Sequence, residues 1–256
     1  MTEAKARPHR LVDDLTIAVL FSTRLPLVHA TQVEGGDIAR ASWAMPVAGA
    51  VVGGLGAAVY WLIYALGFEP LICATLAIAA TLGVTGGLHE DGLADTADGV
   101  GGGATAERKL EIMRDSRIGT YGACALVLSI LLRVASLAAL AEPAVVAPAL
   151  IAAHVAARAT LPIFMRLTPS ARTDGLSAGA GRPTLGNAII GGLIGAGTLA
   201  LALSVTGAAI SAVVLAAALV CMVWLSMRQI GGQTGDVVGA LEQVGESLVL
   251  LVATIV

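Results

Sequence analysis

Charge is what this chain has least of. Asp, Glu, Lys and Arg make up 13% of its 256 residues, whereas a soluble domain carries about 25%. Hydrophobic residues reach 57% and the mean hydropathy is +0.86. Such a chain cannot cover a water-facing surface with polar groups, so an ordinary soluble fold is excluded and a lipid-facing one is expected. The net charge of −3, with basic residues scattered, excludes nucleic acid as a partner. Cysteine is scarce as well. Cys73, Cys124 and Cys221 are odd in number, lack CxxC spacing and lie in apolar runs. That excludes a disulfide framework or a zinc site and reads as buried small side chains. No GxxxxGK[ST] occurs, so there is no P-loop. The basic residues near the start are followed at once by Asp13 and Asp14, and the apolar run Ile17–Phe21 is too short for a secretory core; no cleaved signal is expected.

What the chain does have is long apolar runs. A bilayer-crossing helix needs about 20 of these residues. Candidates are Ala44–Leu66, Leu71–Leu88, Gly119–Leu140, Ala144–Met165, Leu185–Val205 and Ala208–Met227. A further helix from near Asp236 through Ser247–Val256 is a candidate seventh. The runs are continuous, without the alternation of a barrel strand. The expected fold is therefore an all-α polytopic membrane helix bundle with six or seven transmembrane helices, one integral-membrane domain over residues 1–256. Frequent Gly and Ala suit close helix packing. Residues 1–43 read as a cytoplasmic or interfacial segment, with Leu11–Leu27 an interfacial or re-entrant helix ended by Pro26. Lys and Arg gather in alternate loops: near the start, around Arg108–Arg117, around Arg166–Arg182, and at Arg228. The intervening turns at Gly67–Pro70, Ala141–Pro143 and Thr206–Gly207 have none. The positive-inside rule puts the start and every chemically rich loop in the cytoplasm.

Against this background GGLHEDGLADTADGVGGG, Gly86–Gly103, concentrates Glu90, Asp91, Asp95 and Asp98 directly after an apolar run. On a helix Asp91, Asp95 and Asp98 share a face, where like charges repel. A divalent cation relieves that repulsion, and Mg²⁺ takes carboxylates while keeping places for water and phosphate oxygens. The plainer alternative is an exposed acidic loop capping the next helix. Glu90 points to a different side. His89 could bind phosphate, act as acid or base, or cap the preceding span. Gly101 and Gly102, with Gly99 and Gly103, could let backbone N–H groups approach a phosphate, or simply end a helix.

ERKLEIMRDSRIGTYGA, Glu107–Ala123, places Arg114 and Arg117 on one helical face, suited to phosphate oxygens. GGQTGDVVGALEQVGES, Gly231–Ser247, adds Asp236, Glu242 and Glu246 on the same membrane side, able to complete a second metal position or serve as base. RLTPSARTDGLSAGAGRPT, Arg166–Thr184, is a flexible loop or a phosphate lid. Within spans, Arg133 and the pair His154 and Arg158 are expected to face the bundle interior, although Arg158 is near enough to a span end to snorkel. Acids for a metal and arginines for phosphates point to phosphoryl or phosphodiester transfer at a membrane. A cation-coupled transporter and a non-catalytic scaffold are the alternatives from other classes.

HEDGLADTADGVGGG followed by ERKLEIMRDSRIGTYGA closely resembles the signature of the cobalamin synthase family (adenosylcobinamide-GDP ribazoletransferase). FSTRLPL at Phe21–Leu27 and GGQTGDVVGALEQVGE at Gly231–Glu246 resemble it too, in the family's order. At Glu90 the family pattern also accepts an apolar residue. The resemblance implies a bacterial inner-membrane enzyme with Mg²⁺ as cofactor. Its reaction joins α-ribazole, or its 5′-phosphate, to adenosylcobinamide-GDP with release of GMP. It implies Asp91, Asp95 and Asp98 as metal ligands. His89, Arg24, Gly101, Gly102, Arg114, Arg117 and Arg158 would hold substrate, and Asp236, Glu242 and Glu246 would assist catalysis. A homodimer, or contact with other enzymes of cobalamin synthesis, stays open. The CDP-alcohol phosphotransferases are a poorer likeness, because Leu93–Ala94–Asp95 lacks their arginine.

Overall fold

The computed structural model describes residues 11–26, 35–174 and 179–256. Among them, regular structure is helical apart from an isolated bridge between Ser170 and Gln233. The helices are α1 Leu11–Ser22, α2 Gly35–Ala41, α3 Met45–Ala65, α4 Pro70–Thr85, α5 Leu88–Gly102, α6 Ala106–Ile112, α7 Thr120–Leu140, α8 Pro143–Leu167, α9 Leu185–Ala202, α10 Val205–Ile230 and α11 Gly235–Ala253. Their ends follow local chemistry. Prolines open α3, α4 and α8, where a missing N–H costs nothing. Thr105, Thr184, Ser204 and Thr234 accept N–H bonds at the starts of α6, α9, α10 and α11.

α8 is the central post. It packs against α3, α9 and α11 and is buried along most of its length. Glycines permit its closeness to α3: a Cβ on Gly53 would lie 2.8 Å from the Ile151 Cα. Gly49 meets the His154 carbonyl in the same way. Replacing Gly53 by Leu is expected to force the two helices apart and cost about 1–3 kcal/mol, read as a lower unfolding temperature in detergent. Gly54→Leu is the control, because nothing lies within 4 Å of a Cβ there.

Outward faces carry large apolar side chains, among them Trp61, Leu128, Leu193, Val213 and Val220. This is the surface of a multi-pass membrane protein, since water would leave these groups uncovered. Among the described residues, five helices are long and apolar enough to cross: Gly36–Ala65, α7, α8, α9 and α10. The expected straight span Leu71–Leu88 is not one. α4 stops at Thr85, and only the pair α4–α5 qualifies, across an 89° bend. Gly86 and Gly87 make that bend with φ of 67° and 70°, a left-handed pair that residues with a Cβ avoid. The candidate seventh helix exists as α11, continuous from Gly235, but its acids keep it out of the apolar set and its faces are buried on neighbouring helices. Cys73 is buried as expected, whereas Cys124 and Cys221 are exposed on α7 and α10.

α1 ends at Ser22, four residues before Pro26, and Leu27 lies outside the described residues. Asp14, expected to interrupt its apolar run, is fully buried instead. It pairs with Arg40 and accepts from the Trp43 indole at 2.9 Å, which ties α1 to α2 and to the short turn before α3. The polar loops meet at one end of the bundle: Arg172 donates to the Leu110 carbonyl at 2.7 Å, and Ala171 to Gln233 at 2.8 Å. At the other end Tyr60 donates to the Ala141 carbonyl at 2.7 Å.

Candidate active site

The site is built where α5 crosses α11. A Cβ on Gly92 would lie 2.7 Å from the Asp236 carbonyl oxygen, and one on Gly239 3.1 Å from the His89 Cα. Only glycine lets these backbones approach so closely. That contact brings Asp91 and Asp95 of α5 beside Asp236 at the start of α11. Asp95 feels the charges of Asp91, Asp236 and Asp98, opposed by Arg172. A cavity of about 210 Å³ opens there, lined by His89, Asp91 and Asp236 and walled by Phe21, Leu88 and Met165. Hard carboxylate oxygens in excess over positive charge suit Mg²⁺, so Asp91, Asp95 and Asp236 fit as its ligands. Their oxygens are not gathered to within 4.8 Å of one another as a group of three.

Asp98 is placed differently. Its oxygens accept from the Gly119 and Gly122 backbone N–H groups at 2.7 and 2.9 Å. This caps α7, whose own first residues offer no side-chain cap. A Cβ on Gly119 would come within 2.8 Å of the Asp98 Cγ, so the Gly119–Gly122 turn is shaped to receive that carboxylate. The capping role weighed for the acidic stretch thus falls to Asp98, whose carboxylate is taken up by the α7 amides. Asp98→Ala is expected to cost about 1–2 kcal/mol, seen as a lower unfolding temperature, with Asp98→Asn milder because one oxygen still accepts.

The arginines also sort themselves. Arg114 pairs with Asp174, and Arg117 with Asp115 at 2.6 Å, both on the solvent side. The bonds to Arg117 push the Asp115 pKa down to about 2. Neither arginine lines the cavity. Arg172 is the one nearest the acids, with Nη1 3.8 Å from Asp236 Oδ2. Burial draws its pKa below the usual value, and Asp236 opposes that shift. Arg24 packs over the Gly86 bend, where its backbone N–H donates to the Val84 carbonyl at 2.7 Å. Gly101 and Gly102 form the last turn of α5, Gly101 under the Tyr121 ring. Helical amides are not a phosphate loop, so the expected cradle is not formed there.

Deeper lies a second charged group. Arg133 donates to Glu90 at 3.0 Å and to Glu246 at 3.2 Å. Arg158 pairs with Glu242, and with Glu246 at 2.9 Å, and His154 also reaches Glu246. Gln243 donates to Glu242 at 2.9 Å, and His89 Nδ1 lies 3.3 Å from Arg158 Nη2 and 3.7 Å from Glu242. These residues are almost wholly buried and join α5, α7, α8 and α11. Arg158 does not snorkel; it is 1% exposed. Glu242 and Glu246, expected at the metal or as base, do not line the charged cavity. His154, Glu242 and Glu246 alone, among the described residues, bring three donor groups within 4.8 Å. Arg158 already supplies the positive charge there, which disfavours both a second metal and the acid site a cation-coupled carrier needs. His89 touches both groups, with its ring between cavity and network.

Sequence reasoning left Arg172 inside a loop; Glu90 does point away from the other acids, as expected, but its partner Arg133, far along the chain, was missed. A lone arginine inside an apolar span was the available signal for that buried pair.

A family model described as cobalamin-5-phosphate synthase matches residues 14–254. The chain is 55% identical over 243 residues to an adenosylcobinamide-GDP ribazoletransferase of Bradyrhizobium diazoefficiens, covering 95% of this chain and 94% of that protein. It is 49% identical over 249 residues to a protein of the same name from Mesorhizobium japonicum, covering 97% and 95%. No solved structure matches it.

Proposed function

The chain belongs to the cobalamin-5-phosphate synthase family, and from that premise we propose that it joins α-ribazole, or its 5′-phosphate, to adenosylcobinamide-GDP. The product is adenosylcobalamin, or its phosphate, and GMP leaves. The reaction takes place at the cytoplasmic face of the bacterial inner membrane, the side to which the basic loops point. The observation that carries this reading is the α5–α11 crossing, which sets Asp91 and Asp236 on one cavity, with Asp95 close enough to feel both charges.

Asp91, Asp95 and Asp236 would hold Mg²⁺, whose charge when bound would offset that of the diphosphate and of departing GMP. Arg172 adds a fixed positive charge beside Asp236, of the kind that pairs with phosphate oxygens. The ribazole hydroxyl attacks the cobinamide-side phosphorus, and a carboxylate of this group takes its proton. His89 closes the inner wall, its ring held by Arg158. The apolar residues Phe21, Leu88 and Met165 limit water at the reacting phosphorus. The purified protein, given adenosylcobinamide-GDP, α-ribazole and Mg²⁺, should release GMP in step with cobalamin. A folded preparation that forms neither contradicts the assignment.

A further inference from the structure

A second cavity of about 320 Å³ lies next to the charged one. Met165 lines both, and Gln233, on the wall of the second, stands three residues before Asp236 in the turn leading into α11. Its volume sits at the small end of the roughly 300–1,000 Å³ usual for small-molecule sites. Pro169, Ser170 and Arg182 complete the part that matters here.

Gln233 is the unexplained residue. It is 3% exposed, yet its side-chain Oε1 has no hydrogen-bond partner. Its backbone is pinned on both sides, N–H to the Pro169 carbonyl at 2.8 Å and carbonyl to the Ala171 N–H at 2.8 Å. The main chain is thus fixed while the side chain of this lining residue keeps an acceptor to spare, and a buried acceptor without a donor is costly. Arg182 uses Nε and Nη2 on the Arg166 carbonyl, at 2.9 and 2.6 Å, which fixes a planar guanidinium in the wall. Such a plane stacks well on a heteroaromatic ring.

We propose that this cavity is the purine-nucleoside subsite, taking the guanosine end of the GDP-activated substrate, with Gln233 reading the guanine edge. The inference rests on the reaction proposed above and assigns one substrate's end to one place. Guanine brings N–H donors at N1 and N2, which satisfy Oε1. The benzimidazole of a ribazole has no ring N–H and would leave the acceptor bare. A corrin ring is far too large for the space. Adjacency to Asp91 and Asp236 is what a base joined through ribose to a metal-held diphosphate requires.

The test uses the full-length protein in nanodiscs, with GMP and AMP as probes in calorimetric titrations, and steady-state kinetics alongside. Wild type should bind GMP more tightly than AMP. Gln233→Met, similar in length but without the acceptor, should weaken GMP roughly tenfold, as for one good hydrogen bond, and leave AMP unchanged. The KM for adenosylcobinamide-GDP should rise and that for α-ribazole should not. Gln233→Glu keeps the acceptor and should keep the preference for GMP, which separates recognition from misfolding. The proposal is overturned if wild type shows no preference for GMP, if Gln233→Met preserves that preference, or if the KM for α-ribazole rises instead. GMP binding is read without turnover. A wild type that binds GMP selectively but makes no cobalamin would sink the reaction and support the subsite.

Discussion

Asp95→Asn should lower the rate of GMP release by at least about a hundredfold at saturating substrates, the usual scale for removing one group that meets developing charge. The substitution keeps size and hydrogen-bonding capacity but removes a negative charge, so the chain should fold normally. Asp95 is half-buried, faces Asp91 and Asp236, and belongs to no helix cap. Its conversion to an amide relieves like-charge repulsion, and an unliganded protein should tolerate that well. Higher Mg²⁺ should recover part of the lost rate, because two carboxylates remain. Near-normal turnover with an unchanged dependence on Mg²⁺ would remove Asp95 from the centre.

The other large effect lies deeper. Arg158→Met should destabilise the protein by about 3–5 kcal/mol, the cost of stranding a buried charge. Arg158 lies against both Glu242 and Glu246, which are themselves fully buried. Removing it leaves two carboxylates with Arg133 and two histidines nearby, in surroundings where water cannot enter to compensate. The yield of folded protein and its unfolding temperature in detergent should fall together. Glu242→Gln in the same background should restore part of the loss, since it removes one of the stranded charges. If Arg158→Met is as stable as wild type, the network is not the tie between α5, α8 and α11 that its contacts indicate.

The helices were legible in the sequence because lipid exposure demands long apolar runs, and their ends carry local signals such as Pro46, Pro143 and Thr234. The bend at Gly86–Gly87 was not, since a glycine pair reads equally as a helix end or a loop. The shared face of Asp91, Asp95 and Asp98 follows from helical spacing alone. Spacing cannot tell that Asp98 meets the α7 amides more than twenty positions later, because a partner across the fold leaves no local trace. The same holds for Arg133 with Glu90 and for Arg158 with Glu246. Arg114 and Arg117 looked like phosphate ligands because they share a face, yet nearby Asp174 and Asp115 pair with them. Arg172 sat in a loop without periodicity, and only tertiary contact puts it beside Asp236. Gly92 and Gly239 are the clearest case: each is an unremarkable glycine in a helix until the two backbones cross.

The central claim is that Asp91 and Asp236, brought together by that crossing, hold a divalent ion. Paramagnetic Mn²⁺ can stand in for Mg²⁺, and its binding to purified wild type, Asp91→Asn and Asp236→Asn can be followed by electron paramagnetic resonance. Wild type should bind Mn²⁺, more tightly when adenosylcobinamide-GDP is present, and each variant should lose at least tenfold in affinity. Equal Mn²⁺ affinity in all three folded proteins would contradict the account.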